Sequence, residues 1–221
     1  MIGVDCPFVK NIFRIQTVLP LHLSMAWPMD IILASTSPYR RRLLERLHLS
    51  FRCARPDVDE APAFGEAPAT LAVRLAQAKA ESVAKDNPDA LIIGSDQVAS
   101  IAGSVIGKPG NFNAASAQLT NSSGRDVMFY TAIALISPRR SQPLLHVEPF
   151  CVRFRTLSES QIADYLYREQ PYDCSGSFKV EGLGIALFKK LMGDDPTSLE
   201  GLPLIKLTEL LGELGVNVLH G

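Results

Sequence analysis

From Asp30 onward, dense apolar runs alternate with polar turns, and the spacing inside each run predicts an element. "DIILA" (30–34) predicts a short buried strand. "SPYRRRLLERLHL" (37–49) places leucines at helical spacing behind a first-turn proline, and "FRCARP" (51–56) predicts a second strand. Residues 56–67, "PDVDEAPAFGEA", are rich in Pro, Asp, Glu and Gly and predict a surface loop. A long helix follows from about Pro68 to Lys85, ended by "DNPD".

The second half has the same texture. "ALIIGSDQVAS" (90–100) predicts a buried strand that delivers Asp96 at its tip, with Gly94 allowing something to come close. "SVIGKPGNF" (104–112) reads as a strand edge and a turn, and Asn113 as the start of the helix "AASAQLTNS" (114–122). "VMFYTAIALI" and "HVEPFCVRFR" form an expected antiparallel hairpin, after which Ser158 caps the helix "LSESQIADYLYREQ". In the glycine-rich tail, "IALFKKL" and "LIKLTELLGEL" are expected to be helices. Strands and helices mix without strict alternation. The fold class is therefore α/β, a mixed twisted sheet flanked by helices with a central cleft.

Residues 1–28 stand apart. They are apolar and weakly basic, but Lys10 and Arg14 interrupt the run a secretory signal needs, and no small-residue cleavage pattern follows. The expected organisation is a dispensable extension over 1–28 and one domain over 29–221, for which Met29 makes a natural start.

Composition narrows the partners. The chain has 221 residues, 47% of them apolar, enough to bury a sizeable core. Its 22 Lys and Arg balance 23 Asp and Glu, so no basic field attracts a nucleic-acid polymer and phosphate binding must come from a local cluster. Cys6, Cys53, Cys151 and Cys174 are scattered without a C-x-x-C pair, which predicts free thiols in a reducing cytoplasm. No apolar stretch reaches the ~18 residues of a membrane helix, so no membrane partner is expected.

Three polar groups stand where a bland core would not place them. Ser35 and Ser37 occupy a strand-to-helix turn, where backbone N–H groups favour an anion, and Arg40 and Arg41 lie one turn in. Taken alone, that turn reads equally as a serine cap with solvated arginines. Asp59 and Glu60 sit in the "PDVDE" loop, and with Asp96 they offer the hard oxygens that suit Mg²⁺. Lys79, Lys108 and Lys179 are the third group. Singly each reads as a surface lysine, and only convergence would make a phosphate cradle. Neither a P-loop nor a convincing dinucleotide fingerprint is present, which removes kinase and dehydrogenase readings.

"ILASTSPYRRRLL", "PDVDE", "RLAQAKA", "IIGSDQV", "IGKP" and "GSFKVEGLGIALF...GDDPTSLEGLPL" together resemble the Maf-like nucleotide pyrophosphatases, in order, across about Met29 to Gly221. The resemblance is strongest to the YceF-type branch, which hydrolyses 7-methyl-GTP to the monophosphate and pyrophosphate. The sister branch, acting on dTTP and UTP, typically carries a threonine where Gln97 stands and a different motif in place of "GSFKVEG". A non-enzymatic regulator of septum formation is the competing class.

The resemblance implies a divalent cation (Mg²⁺ or Mn²⁺), a cytoplasmic location, a homodimer, and a fold akin to the house-cleaning inosine triphosphate pyrophosphatases. It also implies roles: Asp96 as proton acceptor; Tyr39, Gln97 and Glu181 as substrate discriminators; Ser35, Arg40, Glu60, Lys79, Lys108 and Lys179 as polar cleft residues. Ser37 and Arg41 join the phosphate group from the turn itself, and Glu60 with Asp96 are the expected metal ligands. The chemistry agrees with those positions. N7-methylguanine is cationic, so an aromatic ring such as Tyr39 gains ~0.5 to 2 kcal/mol by stacking on it. Glu181 could accept from the base N1–H and exocyclic amine, which a pyrimidine cannot both supply.

Overall fold

The computed structural model describes residues 29–219; the expected extension over 1–28 lies outside the described residues. Seven strands form one mixed sheet: β1 (Ile31–Leu33), β2 (Arg52–Cys53), β3 (Leu91–Ile101), β4 (Ser104–Ile106), β5 (Asp126–Ile136), β6 (Leu144–Phe154) and β7 (Phe188–Met192). The order is β2-β1-β3-β5-β6-β7, with β4 attached to β3. β1 runs parallel to β2 and β3; every other pairing is antiparallel.

Five helices cover it: α1 (Pro38–Glu45), α2 (Pro68–Ala84), α3 (Phe112–Ser122), α4 (Glu159–Glu169) and α5 (Leu204–Glu213). Local chemistry sets several of their starts. Ser37 caps α1, and Ser158 makes a full capping box with Gln161 on α4. Asn111, not Asn113, caps α3, because its side chain is the one that reaches the Ala114 amide.

Period-two alternation explains why the central strands are apolar on both faces. Ile32, Ile92, Ala132 and Ala134 pack under α2. Their neighbours Ile31, Leu33, Leu91, Ile93, Ile133 and Leu135 pack under α1 and α5. Farther along that second face, Ala99, Ile101, Val127, Phe129 and Phe150 join a separate cluster with α3 and α4. Between the two clusters the same face of β3 carries polar Ser95 and Gln97. The core therefore has two lobes on this side, divided by a polar seam.

Two further expectations are corrected. "IALFKKL" is not a helix: a 3-10 turn over Leu183–Leu187 leads into β7, which pairs with β6 from Cys151↔Met192 to Phe154↔Phe188. Cross-strand hydrogen bonds to a distant partner override the local helical spacing. Asp96 is not at a strand tip either, since β3 continues to Ile101. Along one edge, β3 pairs with β1 through Leu91–Ile93 and with β4 through Ala99–Ile101, while β5 takes the other edge. The residues between, Gly94 to Val98, form a fork in the sheet, and the fork opens the cleft.

At Gly94, α2 lies directly against β3. A Cβ there would lie 2.2 Å from the Ala76 carbonyl oxygen and 2.8 Å from the Ala80 Cβ. The approaching group is a helix backbone rather than a ligand, and it brings Lys79 over Asp96.

Candidate active site

The cleft at the fork has a volume of about 750 Å³ and is walled by the α1 turn, the 55–62 loop, α2, β3, the 105–108 segment, the 173–181 loop and residues 199–201. Elements distant in sequence thus meet around Asp96.

Its buried floor is an ion-pair triad. Lys79 Nζ lies 2.6 Å from Asp96 Oδ1 and 2.6 Å from Glu60 Oε1. Lys79 and Asp96 are 6% and 7% exposed, so each needs an opposite charge beside it: Asp96 has Lys79, while Lys79 has both Asp96 and Glu60. The Glu60 side chain is 58% exposed and forms the cleft-side limb. Burial pushes the Glu60 carboxyl upward, but the hydrogen bond and charge of Lys79, joined by Lys108 and Arg40, outweigh it and hold the group below its ordinary value. Arg40, Lys79 and Lys108 therefore converge on one acidic centre, as a phosphate cradle requires.

Half-buried Arg40 donates from Nε to the Gly201 carbonyl at 2.9 Å, and Ser95 Oγ donates to the same oxygen at 2.9 Å. Gly201 has φ +107°, a left-handed conformation that suits glycine, and a Cβ there would lie in ordinary contact with Arg40 Nε at 3.4 Å. Ser35 Oγ accepts from the Ser37 amide at 3.1 Å, and Ser37 Oγ accepts from the Arg40 amide at 3.4 Å. The two hydroxyls thus shape the turn at the cleft mouth.

Gln97 lines the cleft, but its amide is committed: Nε2 donates to the Ser198 carbonyl at 2.7 Å and the Leu199 carbonyl at 3.1 Å. Tyr39 stands at the other end with Asp173, Cys174, Glu181 and Glu200. Burial, then the Cys174 thiol and the charges of Asp173 and Glu181, raise the Tyr39 phenol above its ordinary value, so it stays a neutral donor. Arg42 lies 5.0 Å from the centre of its ring. Burial first, with Asp173 beside it, pushes the Cys174 thiol up to about 12, which makes it a poor nucleophile.

Of the residues singled out from sequence, the structure gathers Ser35, Ser37, Tyr39, Arg40, Glu60, Lys79, Asp96, Gln97, Lys108 and Glu181 around the cleft. It places three elsewhere. Arg41 pairs with Glu45 at 3.0 Å on the exposed side of α1, Lys179 Nζ donates to the Glu169 carbonyl at 2.8 Å, closing the C-terminal end of α4, and exposed Asp59 turns back on its own loop, its Oδ1 accepting from the Ala61 amide at 3.0 Å. Arg55, Asp173, Cys174 and Glu200 line the cleft without having been singled out. Glu200 lies in the "TSLEGLPL" stretch, and only its place immediately before Gly201 hinted at a turn.

The site is polarised. Arg40, Lys79 and Lys108 act on Glu60, with Arg40 and Lys79 also beside Asp96, while the charges of Asp173 and Glu181 act on Tyr39 and that of Glu181 on Glu200. Among the described residues no three His, Cys, Asp or Glu side chains converge as a complete metal cage. Asp96 and Glu60 each give one oxygen to Lys79, which leaves the second oxygen of each carboxylate as a hard donor of the kind that suits a divalent ion taking one or two carboxylates and completing its shell with water and phosphate oxygens. Among the described residues no helix is long and apolar enough to cross a membrane.

Comparison with known proteins adds relatives. Residues 30–214 match the family model described as Maf-like protein. The chain is 51% identical over 189 residues to the 7-methyl-GTP pyrophosphatase of Colwellia psychrerythraea, covering 86% of this chain and 94% of the relative. It is 50% identical over 199 residues to the 7-methyl-GTP pyrophosphatase of Nitrosococcus oceani, covering 90% of this chain and 100% of that one. Among solved structures it is similar to the Ham1 protein of Staphylococcus aureus, with a TM-score of 0.49 and 15% identity over 83% of this chain and 99% of that one.

Proposed function

The chain belongs to the Maf-like protein family, and we propose that it is a nucleoside triphosphate pyrophosphatase that hydrolyses 7-methyl-GTP to 7-methyl-GMP and pyrophosphate. The observation that carries this reading is the buried Lys79–Asp96 pair at the floor of a cleft with one cationic and one acidic end. The names of the two half-identical relatives agree with it.

In this reading the triphosphate lies against Arg40, Lys79 and Lys108, whose charges offset the negative charge that builds on the phosphate oxygens during transfer. Asp96 orients a water molecule and takes its proton as the water oxygen bonds to phosphorus. Attack at the α-phosphorus breaks its bond to the bridging oxygen, which leaves with pyrophosphate; attack at the β-phosphorus would leave that oxygen on 7-methyl-GMP, and the products are the same. Lys79 fixes the direction of the Asp96 carboxylate, because one of its oxygens is held at 2.6 Å. Asp96 and Glu60 are the residues that would hold Mg²⁺ or Mn²⁺, which supplies charge neutralisation at the phosphates.

The base occupies the opposite end. There Tyr39 offers a ring to a cationic purine, and Glu181, exposed in the cleft wall, offers acceptor oxygens. A panel of nucleotides incubated with purified protein and Mg²⁺, with pyrophosphate release as the readout, tests reaction and base preference together. Fastest turnover of 7-methyl-GTP is expected; faster turnover of UTP or dTTP would move the assignment to the sister branch. Nucleotide binding without turnover would replace the enzyme with a binding module.

A further inference from the structure

Glu200 has no role in the chemistry above, yet it is held more firmly than a surface glutamate needs to be. The backbone on both sides of it is pinned. On one side, Gln97 Nε2 donates to the Ser198 and Leu199 carbonyls at 2.7 and 3.1 Å, and Thr131 Oγ1 donates to Ser198 at 2.8 Å. On the other, Arg40 Nε and Ser95 Oγ each donate to Gly201 at 2.9 Å. These five hydrogen bonds come from four donors, all in distant segments. Among the described residues, the half-buried Glu200 carboxylate has neither a hydrogen bond nor an ion pair of its own, and it lines the cleft with Tyr39 and Glu181.

Burial, and then the charge of Glu181, raise the Glu200 carboxyl above its ordinary value; Arg46, at the C-cap of α1, and Arg42, within it, oppose them without reversing the shift. Two like-charged carboxylates lining one cleft, neither with a hydrogen bond or ion pair among the described residues, repel each other. A cation between them removes that repulsion and gains attraction from both, whereas a neutral base does neither.

We infer that Glu200 is a further specificity-determining residue, paired with Glu181 to recognise the positive charge of an N7-alkylated purine, and that Gln97 is a positioning residue that acts through it. The inference rests on the nucleotide reading above. It also changes what Gln97 does, since its amide nitrogen grips the backbone that presents Glu200.

The test compares kcat/KM for 7-methyl-GTP and for GTP, which differ by one methyl group and one positive charge, in wild type, E200Q, Q97A and the double variant. E200Q keeps size and hydrogen-bonding shape while removing the charge. It is expected to lower the 7-methyl-GTP to GTP ratio about tenfold, the equivalent of ~1.4 kcal/mol, while kcat/KM for GTP stays within about twofold. Q97A is expected to lower the same ratio, and adding E200Q to Q97A to lower it little further, because both act through one carboxylate.

A general structural role would depress both substrates together, leave the ratio in place and overturn the inference. Independent, multiplying losses in the double variant would overturn the part assigned to Gln97. Wild-type protein that prefers 7-methyl-GTP while E200Q keeps that preference would sink Glu200 alone. Wild-type protein with no preference for 7-methyl-GTP would sink the substrate reading and this inference with it. Equilibrium binding of 7-methyl-GMP against GMP gives the same ratio without turnover, which keeps the comparison readable if a variant loses catalysis.

Discussion

Lys79 on α2 and Asp96 on β3 meet at 2.6 Å at the fork of the sheet, each less than a tenth exposed. Glu60 reaches the same ammonium from the open side. The pair is therefore asymmetric. If Asp96 loses its charge, Lys79 still has Glu60; if Lys79 is lost, Asp96 has no cation left within hydrogen-bonding distance.

Asp96→Asn should keep the fold and nucleotide binding while losing about 10² to 10⁴ in rate, the usual worth of a positioned general base. Initial rates of pyrophosphate release, beside circular dichroism and equilibrium binding of 7-methyl-GMP, separate these effects. Wild-type turnover in this variant would remove Asp96 from its assigned role.

Lys79→Met should cost stability on the order of 3 kcal/mol, because it leaves a buried carboxylate unpaired. The double variant with Asp96→Asn should recover much of that loss, since the amide no longer carries an uncompensated charge. Urea denaturation of the four proteins reads the coupling directly. Simple additivity of the two single losses would mean that the ion pair is not the interaction holding α2 to the fork.

The parts of this molecule that were legible in sequence are those fixed by neighbours along the chain. Ser37 and Ser158 mark the starts of α1 and α4 because a cap needs only the next three residues, and the β5–β6 hairpin follows from two apolar runs around a polar loop. What was not legible depends on distant partners. β7 looks helical until β6 is beside it, and Asp96 looks terminal until β1 and β4 are seen to share one edge of β3. Lys179 and Lys79 look alike as isolated lysines. One closes a helix end and the other lies under the cleft, a difference set entirely by where α4 and α2 pack.

Gly94→Ala should be among the most damaging small substitutions in the sheet. The new methyl would stand 2.2 Å from the Ala76 carbonyl oxygen, which belongs to the helix backbone and cannot swing aside as a side chain would. Overpacking of this kind costs up to about 3 kcal/mol, corresponding to a fall of roughly 6 to 12 °C in Tm for a domain of this size. Any shift of α2 also carries Lys79 away from Asp96, so turnover should fall in protein that is still folded at the assay temperature. A thermal midpoint within about two degrees of wild type would show that α2 is free to slide.

The 55–66 loop supplies Glu60 to the cleft, and its far end is fastened by Glu66. Arg74 holds both oxygens of that carboxylate, Nε at 2.7 Å and Nη2 at 2.9 Å, and the Ala63 amide donates to it at 2.9 Å. The Arg74 hydrogen bonds first and the Ala63 amide second lower the Glu66 carboxyl from 4.5 to about 2, against a smaller opposing effect of burial. A carboxyl depressed in the folded state adds stability that is fully present above its unfolded value and disappears as pH falls toward its folded value. The difference in thermal midpoint between wild type and Glu66→Gln should therefore be constant above about pH 5 and shrink steadily from there toward pH 2. A difference that stays flat across that window would mean that the fork of hydrogen bonds, rather than the charge of Glu66, is what fastens the loop. Because Arg74 Nη2 also donates to the Ala61 carbonyl at 3.0 Å, one residue from Glu60, the same substitution should raise KM for 7-methyl-GTP more than it lowers kcat.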